Sequence, residues 1–181
     1  MCEYLLWYIT HIMSNHDSLG HRMKTYEATS QSSLLCRTPV IIRIDGKAFH
    51  TFAKRITKND PTYGTTPFSE VMHDCMTITT HHLVKSIQGC VLGYTQSDEI
   101  SLLIRDWDEL TTQQWFGNNV QKLTSVSASL ATQAFNFYLT QRTGIMDSPT
   151  ISDFATFDSR AFNIPNAEVA NYFIWRQQDA I

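Results

Sequence analysis

Residues 90–104, CVLGYTQSDEISLLI, hold two short runs rich in β-branched and apolar residues on either side of the polar triplet Ser97-Asp98-Glu99. Runs of that length, broken once by polar residues, read as the two strands of a β-hairpin, 90–96 and 100–104. Upstream, PVIIRI (39–44) has the same character, is flanked by turn formers and is closed by Asp45-Gly46. It predicts an earlier, mostly buried strand. Downstream, ATFDSRAFNI (155–164) predicts a fourth.

Helices fill the gaps. Residues 47–65 carry many polar groups with Pro61 and Gly64 and are expected to form a loop. After it Phe68, Val71, Met72, Cys75, Thr79 and Leu83 recur three or four apart. This predicts a helix that Thr66 caps, that Pro67 opens and that ends near Gly89. A second long helix is expected over 117–142, with Val120, Leu123, Val126, Leu130, Ala134 and Phe137 along one face. Ser127, Ala128, Ser129 and Ala131 permit close packing, and Gly144 and Pro149 end it. Pro165-Asn166 opens a last helix that is expected to run to Ile181.

The resulting order, βαββαβ plus one more helix, is the α+β, ferredoxin-like arrangement. There the first and third strands are central antiparallel neighbours, so the end of one lies beside the start of the other. Asp45 closes the first strand; Asp98 and Glu99 open the third. Three carboxylates remote in sequence are thus gathered at one sheet edge.

The 181 residues suit one ordinary domain. With 43% hydrophobic and 17% charged residues the chain is globular rather than disordered. No run approaches the roughly 18 apolar residues that a membrane span needs, so no membrane partner is expected. The apolar opening, MCEYLLWYITHI, carries Glu3 and lacks a basic lead and a small-residue cleavage site, which makes it a poor signal peptide; Met13 is an alternative start. The four cysteines form no C-x-x-C pair, as expected of reduced thiols in a cytoplasm. His73, His81 and His82 lack the spacing that puts two imidazoles on one metal, and read as surface or rim. Net charge is −3, yet residues 20–60 hold eight Lys or Arg against three acids, while residues 61–181 hold six against twelve. A basic front suits a polyanionic partner, although an ordinary solvated face has the same composition.

Acids crowded at one edge repel each other unless a cation compensates. Magnesium prefers such oxygens and retains water for substrate phosphates, and two ions can serve an in-line phosphoryl displacement. Asp45 and Asp98 would bridge the metals, with the Gly46 carbonyl as a further ligand and Glu99 completing or orienting the set. Arg43, Lys47, Lys54, Arg55 and Lys58 would supply cations for a triphosphate. Taken singly, Asp-Gly is also a common turn, Ser-Asp-Glu a possible solvated hairpin tip, and Lys54–Lys58 a possible basic surface loop.

IIRIDGKAFHTF, GCVLGYTQSDEISLLI, QKLTSVSASLATQAFN, FDSRAFNIP and NYFIWRQQDA occur in the order in which similar segments stand in the tRNA-histidine guanylyltransferase family. The chain most resembles the guanylyltransferase-like 3′–5′ RNA polymerases that repair tRNA 5′ ends. The resemblance runs from about residue 17 to 181 and places an extension at 1–16. It implies a palm-like nucleotidyltransferase domain that adds nucleotides to the 5′ end of tRNA, with two Mg2+ ions, ATP for activation and GTP or other NTPs. It implies metal ligands at Asp45, Gly46 and Asp98, a required carboxylate at Glu99, and triphosphate contacts at Ser97 and Lys122. A homo-oligomer, in the family a tetramer, is implied too.

Two departures stand out. Thr66 occupies a place where relatives carry a lysine tied to 5′ activation; Lys58 is the candidate substitute. Relatives also continue past WRQQDAI with a His- and Asn-bearing segment, so the chain reads as truncated. Two alternatives follow: a non-catalytic RNA- or partner-binding remnant, and a palm-type purine nucleotide cyclase.

Overall fold

The computed structural model describes the backbone of residues 16–59, 70–143 and 150–178, and the side chains there except at 16, 17, 56–59, 143 and 152. The chain divides into two units, residues 1–32 and residues 33–181. In the first, helix α1 spans His16–Ala28, where the sequence predicts no element. Thr29 donates its hydroxyl to the Tyr26 carbonyl at 2.7 Å beyond its last turn.

The second unit is built on strands β1 (Val40–Gly46), β2 (Cys90–Gln96), β3 (Glu99–Ile104) and β4 (Phe157–Asn163). With them come helices α2 (Phe49–Asn59), α3 (Glu70–Ser86), α4 (Val120–Thr143) and α5 (Val169–Gln178). The sheet order is β2-β3-β1-β4 with every neighbouring pair antiparallel, which is the ferredoxin-like order expected from the sequence.

Strand alternation gives the sheet two different faces. Val40, Ile42 and Ile44 lie opposite Ile104, Leu102 and Ile100 and are buried with residues of α2, α3 and α4 in the hydrophobic core. The residues between them point to the other face. There Ile41, Arg43 and Asp45 pair with Leu103, Ser101 and Glu99 on one side and with Phe162, Arg160 and Asp158 on the other. α5 covers the apolar end of this second face: Tyr172 packs on Phe162 with ring centroids 5.9 Å apart and its hydroxyl lies 3.1 Å from the Ser101 hydroxyl.

The structure corrects three expectations. Residues 49–59 are not loop but helix α2, because Phe49, Phe52 and Ala53 at helical spacing bury one face in the core. β1 does not stop before Asp45-Gly46; both residues belong to it and pair with β4. On α4 Leu123 and Ala134 are buried and Val126 and Leu130 pack against the core as expected, but Phe137 is 56% exposed, and the line of deepest burial runs through Leu123, Ser127, Ala131, Phe135 and Leu139. Small side chains set that line by letting the helix approach β4, where Ser127 and Ser159 hydroxyls meet at 2.8 Å. α3 reaches Ser86, and Gly89 follows with φ +76, in the left-handed region that suits glycine after a helix. The expected features at Met13, Thr66, Pro67, Gly144, Pro149 and residues 179–181 lie outside the described residues.

Candidate functional site

The charged end of the second sheet face lies where β1 ends and β3 begins. Asp45 is the cross-strand partner of Glu99 on β3 and of Asp158 on β4. Asp98 occupies the turn between β2 and β3, and its carbonyl accepts the Gly46 N–H at 3.0 Å. That bond ties the hairpin tip to the end of β1, so Asp45, Gly46, Asp98 and Glu99 meet at one edge. The tip is shaped by Ser97, which has φ +53 and whose hydroxyl donates to Asp98 Oδ1 at 3.1 Å.

Four carboxylates in one neighbourhood leave an electrostatic mark. The pKa of Asp45 is raised above 3.8, first by burial and then by the charges of Glu99, Asp98 and Asp158, with Arg43 opposing. Glu99 is held differently. Its Oε1 takes the Arg43 guanidinium and its Oε2 takes that of Arg176 from α5. Burial alone would lower the pKa of Arg43, but the hydrogen bond and charge of Glu99 outweigh it and raise that pKa.

The metal-holding capacity of this edge is narrow in kind. The groups that could hold a metal here are oxygens: the carboxylates of Asp45 and Asp98, close enough for the charge of Asp98 to raise the Asp45 pKa, and the backbone carbonyl of Gly46. Such a set suits a hard divalent cation that keeps room for phosphate and water. Among the described residues no group of three His, Cys, Asp and Glu side chains forms a self-sufficient metal cage.

A cleft of about 320 Å3 opens beside Asp98, between α2, α3 and the hairpin tip. Phe49, Ala53 and Met72 give it an apolar floor; His50, His73, Ser97 and Asp98 give it a polar mouth.

Of the residues singled out from sequence, the structure brings Asp45, Gly46, Asp98, Glu99, Ser97 and Arg43 to this edge, and Lys47 follows directly on β1 with an exposed side chain. Lys122 is not brought there. It stands in the first turn of α4 with its amine 5.7 Å from the centre of the Phe116 ring. The neighbouring Asn118 carbonyl accepts the Leu34 N–H, and Leu35 in turn donates to Asn163 opposite Val40. That is the far end of β1, about 17 Å from Asp45 at ~3.4 Å per residue. Lys58 lies in α2, but its side chain is outside the described residues. His50, Asp158 and Arg176 were not singled out from sequence. Each sits inside a segment that carries the family resemblance (IIRIDGKAFHTF, FDSRAFNIP and NYFIWRQQDA), and strand alternation from Arg160 to Asp158 was the available signal for the second.

Comparison with known proteins gives the family and the fold. The family profile described as tRNAHis guanylyltransferase matches residues 20–165. The tRNA(His) guanylyltransferase of Schizosaccharomyces pombe is 32% identical over 158 residues, covering 87% of this chain and 54% of that protein. A bacterial tRNA(His) guanylyltransferase-like protein in complex with GTP superposes with a TM-score of 0.77 at 48% identity, over 90% of this chain and 71% of that one. The structure of such a protein in complex with ATP gives 0.78 at 48% identity, over 90% and 65%. The chain spans about half the length of the curated relatives it matches.

Proposed function

The chain belongs to the tRNAHis guanylyltransferase family, a family of nucleotidyltransferases, and from that premise we propose that it adds nucleotides in the 3′–5′ direction to the 5′ ends of tRNA. The observation that carries this reading is the meeting of Asp45 with Asp98 at one sheet edge, locked by the Gly46–Asp98 bond beside a cleft of nucleoside size. Solved structures of similar proteins in complex with GTP and with ATP support triphosphates as its ligands.

In this reading Asp45, Asp98 and the Gly46 carbonyl would hold two Mg2+ ions, which would favour ionisation of the attacking hydroxyl and offset charge on the leaving phosphate. Asp98 and Asp45 set the spacing of the reacting groups. The cleft over Phe49 and Met72 takes the base, while Ser97 and Lys47 stand on the triphosphate side. Arg43, engaged by Glu99, contributes positive potential behind Asp45. Lys58 and Lys122 would serve the triphosphate only by reaching over from α2 or from another copy of the chain. The 3′ hydroxyl of the incoming nucleotide attacks the activated 5′ phosphate, forms the new phosphodiester and expels the activating group. ATP supplies that group when the RNA begins with a monophosphate. Assembly as a tetramer and action in the cytoplasm complete the reading; light scattering on the eluted protein tests the first. No described helix is long and apolar enough to cross a membrane.

The test is incubation with α-labelled GTP, ATP, Mg2+ and a tRNA lacking its first nucleotide. Label entering the RNA is expected. Cyclic nucleotide instead would make the chain a cyclase, and RNA binding without product a non-catalytic remnant.

A further inference from the structure

Glu99 is the hub of a three-residue charge network that joins parts of the chain 56 and 77 residues apart. Arg43 reaches it along β1, and Arg176 reaches it from α5. Arg176 is only 9% exposed, and its guanidinium lies 4.6 Å from the centre of the Trp175 ring. α5 itself is pinned to the sheet by the buried Tyr172, through Ser101 and Phe162. The guanidinium is therefore held in place from behind as well as drawn from in front.

Such an arrangement is a poor device for stability alone. Drawing an arginine and a glutamate out of water carries a desolvation penalty that their attraction only partly repays, and apolar side chains of like volume serve a fold as well or better. What the network does achieve is geometric. Each oxygen of Glu99 is assigned to one arginine, so this carboxylate cannot swing onto Asp45, its cross-strand partner, or compete with Asp98 for a cation. Two positive charges stand behind one negative charge, which offsets the repulsion among the acids at the edge.

We propose that Arg176 is a positioning residue for the transfer reaction: with Arg43 it clamps Glu99 behind Asp45 and so keeps the carboxylate edge in the shape that accepts divalent cations. The proposal rests on the metal-dependent reading above, and its test is read from metal binding rather than from turnover. Loss of an outer partner of this kind typically lowers metal affinity about 10–100-fold. Mn2+ titrated into the folded protein and followed by electron paramagnetic resonance should show an Arg176→Gln variant binding at least about tenfold more weakly than the wild type. Arg176→Lys, which keeps the charge, should recover part of the loss.

The decisive comparison is a double-mutant cycle. In a Glu99→Gln background the same Arg176→Gln change should cost nothing more, because the residue it acts through is gone. An equal further loss in that background overturns the clamp, as does unchanged Mn2+ affinity in Arg176→Gln or no Mn2+ binding by the wild type. Should Arg176→Gln not fold, Arg176→Lys carries the same cycle. Raised Mg2+ should also restore turnover in the variants, which a general packing defect would not allow. A wild-type protein that binds Mn2+ but transfers no nucleotide overturns the functional reading and leaves the clamp to be judged by the cycle.

Discussion

Asp45 has three other carboxylates around it and one arginine opposing them, and its raised pKa records that imbalance. An acid with a higher pKa in the folded chain than in the unfolded one keeps its proton longer when folded. Above 3.8 the folded state then binds more protons than the unfolded state, so Asp45 reduces stability as pH rises through its folded pKa. Without divalent cations, Asp45→Asn should raise the melting temperature at pH 7, and the gain should shrink as pH falls toward 4. Thermal unfolding in EDTA across that range is the measurement; a lower melting temperature for the variant at neutral pH would refute the account. Asp98→Ala belongs to the same scale with a different readout. It removes a carboxylate that is half-exposed in a turn, so the circular dichroism spectrum should stay unchanged while label transfer to tRNA disappears. Retained transfer would remove Asp98 from the site.

At the scale of elements, the junction of β1 and α2 is tightly packed. A Cβ on Gly46 would run into the Phe49 ring at less than contact distance, and that ring is itself wedged between Phe52, Phe135 and Phe157. Gly46→Ala should therefore cost about 1–3 kcal/mol, the usual penalty for overpacking, and denaturant unfolding measures it. Cysteine chemistry gives an independent check on the elements around the sheet. Burial pushes the thiols of Cys75 on α3 and Cys90 on β2 up to about 11, whereas Cys36 is exposed. Alkylation at pH 7.5, mapped by mass spectrometry, should modify Cys36 well before the other two. The strands were legible in the sequence because β-branched runs bounded by turn residues have few other uses, and the topology then brought Asp45 beside Asp98 without further information. α2 was not legible: its three apolar anchors stand among lysines and threonines, and the proline and glycine nearby make the whole window look like loop. Nor was the pairing of Glu99 with Arg43 and Arg176, since two arginines reach one carboxylate only after β1, β3 and α5 have been laid side by side.

In the molecule taken as a whole, the labour is split between the two faces of one sheet. The helix-covered face holds Val40, Ile42 and Ile44 in the hydrophobic core and carries the fold. The opposite face runs from the apolar Ile41 and Phe162, under α5, to the acids at the open end. Folding therefore gathers like charges at one edge: among the described residues Glu99 has its two arginines, and Asp45 and Asp98 form no ion pair. A ligand that supplies the missing positive charge binds the folded state and not the unfolded one, and must stabilise it. Mg2+ with GTP at a hundred times its dissociation constant should add about 2.7 kcal/mol, or roughly 5–10 °C in melting temperature for a chain of this size. Mg2+ alone should give a smaller rise and GTP in EDTA almost none, because the triphosphate would then add negative charge to an already acidic edge. In Asp98→Ala the joint effect should largely vanish. Equal stabilisation of that variant and the wild type, followed by calorimetry, would mean that the nucleotide binds somewhere other than the edge where β1 meets β3.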